Sequence, residues 1–385
     1  MYGQISGFTL YLMFYAGVTV LSLIACCYLL LRRSNAIAPD VTSPVRLRRW
    51  TAAYFAAATL SHLWFLTPSL ATSEEVAKRC ILLTELLDYA TVFPLAIAIL
   101  FVMLQDRRRP LWPVAAMVAP LVVGMVLCVA RCSSAPLPML NAYLFLMEIG
   151  LIIYMVRALR QYGRWLRDNF ADLEHKEVWQ SFIVLGILLL MFGIYTMSAA
   201  DPDPVYDYVL QLGDIMHVCY LVWRVETLSD LSILQPQTVP AESGTPIESG
   251  TPAELDTPDK QERIESRKKP AVDIGLLLQR HCIKTQLYLQ HDLTLVQLAE
   301  AIGTNRYYLS QYFSSLGTTY NAYINDLRIK HFIRLYRETT TAMRPVTALQ
   351  LANDSGYRSY STFSLAFKQR TGQTVTAWIR DTAQQ

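Results

Sequence analysis

The sequence predicts an all-α protein in two unlike parts, a seven-helix transmembrane bundle followed by a cytoplasmic tandem helix-turn-helix domain. Three observations carry this. The 385-residue chain is 53% hydrophobic and only 17% charged, too apolar for an ordinary soluble protein. Apolar runs of bilayer-crossing length crowd its first part and then stop. Near the end, Thr294-Leu-Val-Gln297-Leu-Ala299 recurs as Thr347-Ala-Leu-Gln350-Leu-Ala352, with Gly303 and Gly356 at the same offset after each copy.

Spans are predicted at residues 8–31, 50–70, 78–104, 111–130, 137–159, 179–200 and 205–225. The last is the least apolar, since it carries Asp207, Asp214, His217 and Arg224. Nothing basic precedes the first span and no small-residue cleavage pattern follows it, so a removed signal peptide is not expected. Loop charge sets orientation. One set of loops holds Arg32, Arg33, Arg46, Arg48, Arg49, Arg107, Arg108, Arg109, Arg157, Arg160, Arg164, Arg167 and Lys176; the alternate set holds Lys78, Arg79 and Arg131. Thirteen against three puts the first set in the cytoplasm and the N-terminus outside. An odd number of spans then leaves the C-terminal part inside. The expected location is a bacterial inner membrane, crossed several times.

Ionisable residues inside spans are costly and point to function. Here they are His62, Glu85, Asp88, Glu148, Asp214 and His217. Glu85 and Asp88 share a helix face, as do Asp214 and His217. Two readings stand: hydrogen bonding that holds the bundle together, or an outward polar cavity that receives an unknown small-molecule or peptide signal. No spacing of a metal site occurs, and no metal or cofactor is expected. The seven cysteines are scattered without CxxC. Isolated thiols are expected, with a Cys80–Cys132 bridge left open near the outer face. The sequence contains no nucleophile elbow, HExxH or phosphate loop, so an enzyme is not expected.

These features divide the chain into a membrane domain over residues 1–228, a linker over 229–270 and a last domain over 271–385. The linker repeats Pro, Ser, Thr and Glu in "ESGTPIESGTPAELDTPD" and has no apolar face, so a disordered tether is expected.

In the last domain, Thr294 with Gln297 and Thr347 with Gln350 fit capping boxes. Leu295, Leu298, Ala299 and Ile302 form one apolar stripe, and Leu309, Phe313 and Leu316 form the next. Gly303, Gly317, Gly356 and Gly372 mark helix ends. A one-residue insertion in the second copy aligns Leu309 with Phe363 and Phe313 with Phe367. Between the copies, Thr319 to about Tyr336 reads as one helix of roughly 27 Å. It carries Tyr323, Ile324, Leu327, His331 and Leu335 on one face, with Arg328, Lys330, Arg334 and Arg337 elsewhere. That length suits two recognition helices in successive major-groove segments about 34 Å apart. Lys and Arg outnumber Asp and Glu twelve to seven after residue 270, which suits phosphate contacts.

The stretches "LAEAIGTNRYYLSQYFSSLGTTYNAYINDLRIK" and "LANDSGYRSYSTFSLAFKQRTGQTVTAWIR" resemble the C-terminal DNA-binding domain of AraC/XylS-family transcription regulators over roughly the last quarter of the chain. The resemblance implies base contacts from Asn305, Arg306, Tyr307, Ser310 and Gln311 in the first motif and from Tyr360, Ser361 and Ser364 in the second. It assigns Arg358, Lys368 and Arg370 to phosphate. Double-stranded promoter DNA and the lipid bilayer are the implied partners, with RNA polymerase and a second copy of the chain as further ones. Three residues depart from the family pattern: Val375 in place of Pro, Phe332 in place of a small residue, and Leu365 in place of a polar or basic one. The last implies a second motif that grips the backbone more than it reads bases. A transporter or enzyme with a DNA-binding tail, and a regulator anchored without sensing, are the other readings.

Overall fold

The computed structural model describes residues 7–32, 34–184, 186–187, 204–232, 273–342, 345 and 347–383. Most of the predicted span at 179–200 and of the predicted linker at 229–270 lies outside the described residues. The chain forms two compact units, one of residues 1–166 with 175–232, the other of residues 167–174 with 233–385. Among the described residues both are helical.

The first unit contains α1 (Gly7–Leu31), α2 (Val45–Phe65), α3 (Glu74–Leu87), α4 (Phe93–Met103), α5 (Trp112–Arg131), most of α6 (Leu137–Asn169) and α7 (Pro204–Thr227). Among the described residues, four stretches are long and apolar enough to cross a membrane: Thr9–Leu31, Glu74–Met103, Trp112–Arg131 and Leu137–Asn169. The helices α2 and α7 have spanning length, at 21 and 24 residues, but carry more polar residues. The span predicted at 50–70 keeps its length of 21 residues but lies five residues earlier, at Val45–Phe65, and ends before a tight turn at Thr67–Leu70. Between α3 and α4 the ladder widens into a π turn, Asp88–Val92, in which Phe93 N–H donates to the Asp88 carbonyl. Pro94, in the first turn of α4, has no N–H to continue the ordinary register.

Three residues counted above as loop charges are buried and committed to structure: Arg48, Arg109 and Lys176. Arg109 makes a two-pronged pair with Asp106 at 2.6 and 3.0 Å. Arg48 donates to Asn35 Oδ1 and to the Arg32 carbonyl. The Glu226 carboxylate accepts from the Ala36 and Ile37 amides at 2.9 and 2.8 Å, tying the α1–α2 loop to the end of α7. All seven cysteines are free, Cys80 and Cys132 included.

The second unit contains α8 (Ile274–Leu278), α9 (Leu295–Ala301), α10 (Arg306–Ser315), α11 (Tyr320–Thr341), α12 (Ala348–Asp354), α13 (Tyr360–Thr371) and α14 (Val375–Ala383). Among the described residues it has two cores, one per repeat. Leu298, Leu309, Phe313, Tyr320 and Ile324 anchor the first; Phe332, Leu351, Tyr357, Phe363, Phe367 and Val375 anchor the second. The linking helix α11 contributes to both. Its 22 residues span about 33 Å, one turn longer than the sequence suggested.

Phe332 is fully buried, 4.5 Å from the Phe363 ring and 5.7 Å from Phe367, so the departure from a small residue fills the second core. Val375 is buried where it opens α14. Leu316 corrects the predicted stripe: it caps the end of α10 and is exposed. The segment 167–174 is built into this unit. Ala171 joins the first core, its amide donates to the Leu293 carbonyl, and Asn321 Nδ2 donates to the Phe170 and Ala171 carbonyls at 3.2 and 2.6 Å.

Candidate nucleic-acid interface

Each repeat folds as its sequence dictates. Thr294 Oγ1 accepts from the Gln297 amide at 3.2 Å and Gln297 Oε1 accepts from the Thr294 amide at 2.9 Å, a complete capping box. In the second copy Thr347 Oγ1 accepts from the Gln350 amide at 3.2 Å; the return bond is not among the described contacts. Gly303 and Gly356 end the first helix of each pair with φ of +72° and +87°, the left-handed region that favours glycine. The chain then enters the second helix of each pair through a capping side chain, Asn305 on α10 and Ser359 on α13.

The second helices present the surfaces that matter. On α10, Leu309 and Phe313 face the core, while Arg306, Tyr307 and Gln311 are exposed and Ser310 is half-buried. Gln311 Nε2 donates to Tyr307 Oη at 2.8 Å, which holds the two side chains together on the surface. On α13, Phe363 and Phe367 face inward, while Tyr360, Ser361, Leu365 and Lys368 are exposed and Ser364 is half-buried. Asn305 is the exception among the predicted base contacts: its Oδ1 caps α10 by accepting from the Tyr308 amide at 3.0 Å.

Two predicted phosphate contacts are paired within the protein. Arg358 meets Asp292 at 3.1 Å and Arg370 meets Asp326 at 2.5 Å, each arginine about half exposed. Exposed pairs of this kind are weak and exchange readily. Lys368 is exposed.

Sequence reasoning missed what holds the two motifs together. Arg328, placed by periodicity away from the apolar face, is 1% exposed. Its Nε donates to the Tyr288 carbonyl at 2.7 Å, a terminal nitrogen donates to the Gln290 carbonyl at 2.8 Å, and the guanidinium lies over the Tyr357 ring at 5.5 Å. Burial lowers its pKa, and nearby Tyr357 and Tyr320 oppose that shift. Arg328 thus ties the start of the first motif to the turn of the second. Beside it, His331 Nδ1 meets Tyr288 Oη at 3.0 Å and an Arg334 guanidinium nitrogen at 3.1 Å. Burial first, and Arg334 next, lower the His331 pKa.

A helix-turn-helix domain family model matches residues 298–381. The C-terminal region is an AraC-type helix-turn-helix domain. It is a DNA-binding, transcription-regulating kind of module. No curated protein and no solved structure matches the chain.

The polar residues predicted within the spans are partly gathered. His62 Nε2 lies 4.0 Å from Asp214 Oδ2, and the Tyr15 ring lies 4.7 Å from the His62 ring. Tyr15 Oη donates to the His62 carbonyl at 2.9 Å. Ser61 Oγ donates to Asp88 Oδ1. Asp88 and Asp214 are within electrostatic reach of each other. His217 is buried, with the Tyr54 ring edge-on at 5.7 Å and, among the described residues, no hydrogen bond on either ring nitrogen. Glu85 is within reach of Asp88, whereas Glu148 is buried and, among the described residues, its Oε1 has no partner and it makes no bond to His62, Asp88 or Asp214.

Proposed function

We propose that this chain is a membrane-embedded one-component transcription regulator. It binds promoter DNA sequence-specifically through α10 and α13, with Arg306, Tyr307, Ser310 and Gln311 at bases in one half-site and Tyr360, Ser361 and Ser364 in the other. Arg358, Lys368 and Arg370 hold phosphates; the two arginines exchange their surface carboxylates for DNA. The observation that carries this reading is the pair of capped, outward-facing second helices, in two motifs joined by one 22-residue helix, in a chain whose described residues include four helices apolar enough to cross a membrane. A seven-span topology with the N-terminus outside and the DNA-binding domain in the cytoplasm fits this reading.

A signal reaching the membrane unit from outside or from the bilayer shifts it between two states, provided the ligand prefers one of them. The grouping of His62, Asp88, Asp214, Ser61 and Tyr15 supports that role, and the buried ring of His217 supplies a further polar group beside Tyr54. Two experiments test the two halves of the proposal. Full-length protein in lipid nanodiscs is offered a random-sequence duplex library; enrichment of a two-part site is expected, and no enrichment overturns the DNA-reading half. Promoter output is then recorded for H62A, D88N, D214N and H217A across many inputs. Unchanged output at normal expression removes the sensing half.

A further inference from the structure

We infer that Leu365 reads the 5-methyl group of a thymine in the second half-site, so that the two motifs read DNA by different chemistry. This rests on the DNA-binding reading above. The repeat fixes the register: Leu309 and Phe313 in the first motif correspond to Phe363 and Phe367 in the second, and all four are buried. The same offset sets Tyr307 against Ser361, Ser310 against Ser364 and Gln311 against Leu365. Leu365 therefore stands where the first motif carries its amide.

Leu365 is 61% exposed on the face opposite Phe363 and Phe367, in the second turn of α13. The residues one turn before it and beside it, Ser361 and Ser364, are short, so the leucine stands above the helix surface. Lys368 lies one turn further on and is exposed, ready for a phosphate. Base-edge contacts come from the N-terminal part of a recognition helix, and the thymine methyl is the one apolar group that the four bases present in the major groove. An amide and a leucine can each select an A·T pair, Gln311 through adenine hydrogen bonds and Leu365 through the methyl of thymine. A polar side chain at residue 365 would compete for base-edge acceptors; a leucine leaves the methyl as its best partner.

The test uses full-length protein in nanodiscs and the duplex enriched from the random library. Deoxyuridine replaces each thymine of the second half-site in turn, which removes only the methyl. One such replacement is expected to weaken wild-type binding about fourfold, the loss of one buried methyl-sized contact. L365A is expected to weaken binding to the thymine duplex by a similar factor and to show no thymine–uracil difference. Replacements in the first half-site leave L365A and wild type alike. A thymine–uracil difference that persists in L365A overturns the inference, as does a wild-type protein indifferent to every replacement. L365A binding as tightly as wild type also overturns it and assigns the leucine to a protein partner. A full-length chain that enriches no duplex overturns both this inference and the reading beneath it.

Discussion

The two repeat glycines occupy the same place in the motif but different surroundings, and alanine at each gives a quantitative prediction. Gly303 and Gly356 both have positive φ, so either alanine carries left-handed strain of roughly 1–2 kcal/mol, offset in part by the reduced freedom of the unfolded chain. At Gly303 a Cβ meets nothing within 4 Å. At Gly356 it would lie 2.7 Å from the Leu289 carbonyl oxygen and 2.9 Å from the Leu289 Cα, backbone atoms that cannot swing away. Overpacking of this kind adds about 1–3 kcal/mol. The expected costs are about 1 kcal/mol for G303A and about 3 kcal/mol for G356A. Hydrogen exchange of the full-length protein reads this difference directly. Opening of α9 and α10 in G303A should quicken about fivefold, and opening of α12 to α14 in G356A by more than a hundredfold, since about 1.4 kcal/mol is a factor of ten. Equal effects in the two variants would refute the close approach of the Gly356 turn to Leu289.

Other predictions follow from the second unit. F332A removes the ring between Phe363 and Phe367 and should cost about 3–5 kcal/mol, loosening α12 to α14 in hydrogen exchange while α9 and α10 hold. His331 Nδ1 must accept from the Arg334 guanidinium, so only the neutral ring keeps that bond. With its folded pKa below the unfolded value of 6.5, His331 contributes stability that is present above about pH 6.5 and is lost as the pH falls below it. Intrinsic-rate-corrected exchange over residues 287–290 should therefore rise between pH 7 and pH 5 in wild type and lose that dependence in H331N. K368A should weaken DNA binding evenly across sequences and reduce the slope of log affinity against log salt by about one. R358A should do the same by a smaller amount, because wild-type Arg358 must leave Asp292 before it can hold a phosphate.

Much of this architecture is written locally. The threonine caps, the glycine turns and the Leu309/Phe313 and Phe363/Phe367 stripes depend on neighbours within a few residues, and the sequence placed them correctly. What it could not place depends on distant partners. Arg328 reads as a solvated cation because the carbonyls that satisfy it belong to Tyr288 and Gln290, 40 and 38 residues away. Ala171 enters the first core from a loop assigned to the membrane domain, held by Asn321, 150 residues later. Arg358 and Arg370 read as free phosphate ligands because nothing in their spacing reveals Asp292 and Asp326. The same holds for Arg48 and Arg109, counted only as loop charges: Arg109 does lie in a loop and Arg48 in the first turn of α2, but both are buried in hydrogen-bonded networks. Polar residues in α2 and α7 have the opposite history: cost alone singled them out, and the fold then set His62 near Asp214.

The central claim is that two recognition helices, held by the helix Tyr320–Thr341, read one duplex face at two places. Chemical footprinting of the enriched duplex, bound by full-length protein in nanodiscs, tests it most directly. The account predicts two protected major-groove segments about one helical turn apart, with Q311A removing protection of one and L365A weakening the other. A single protected segment, or two that respond together to either substitution, would contradict it.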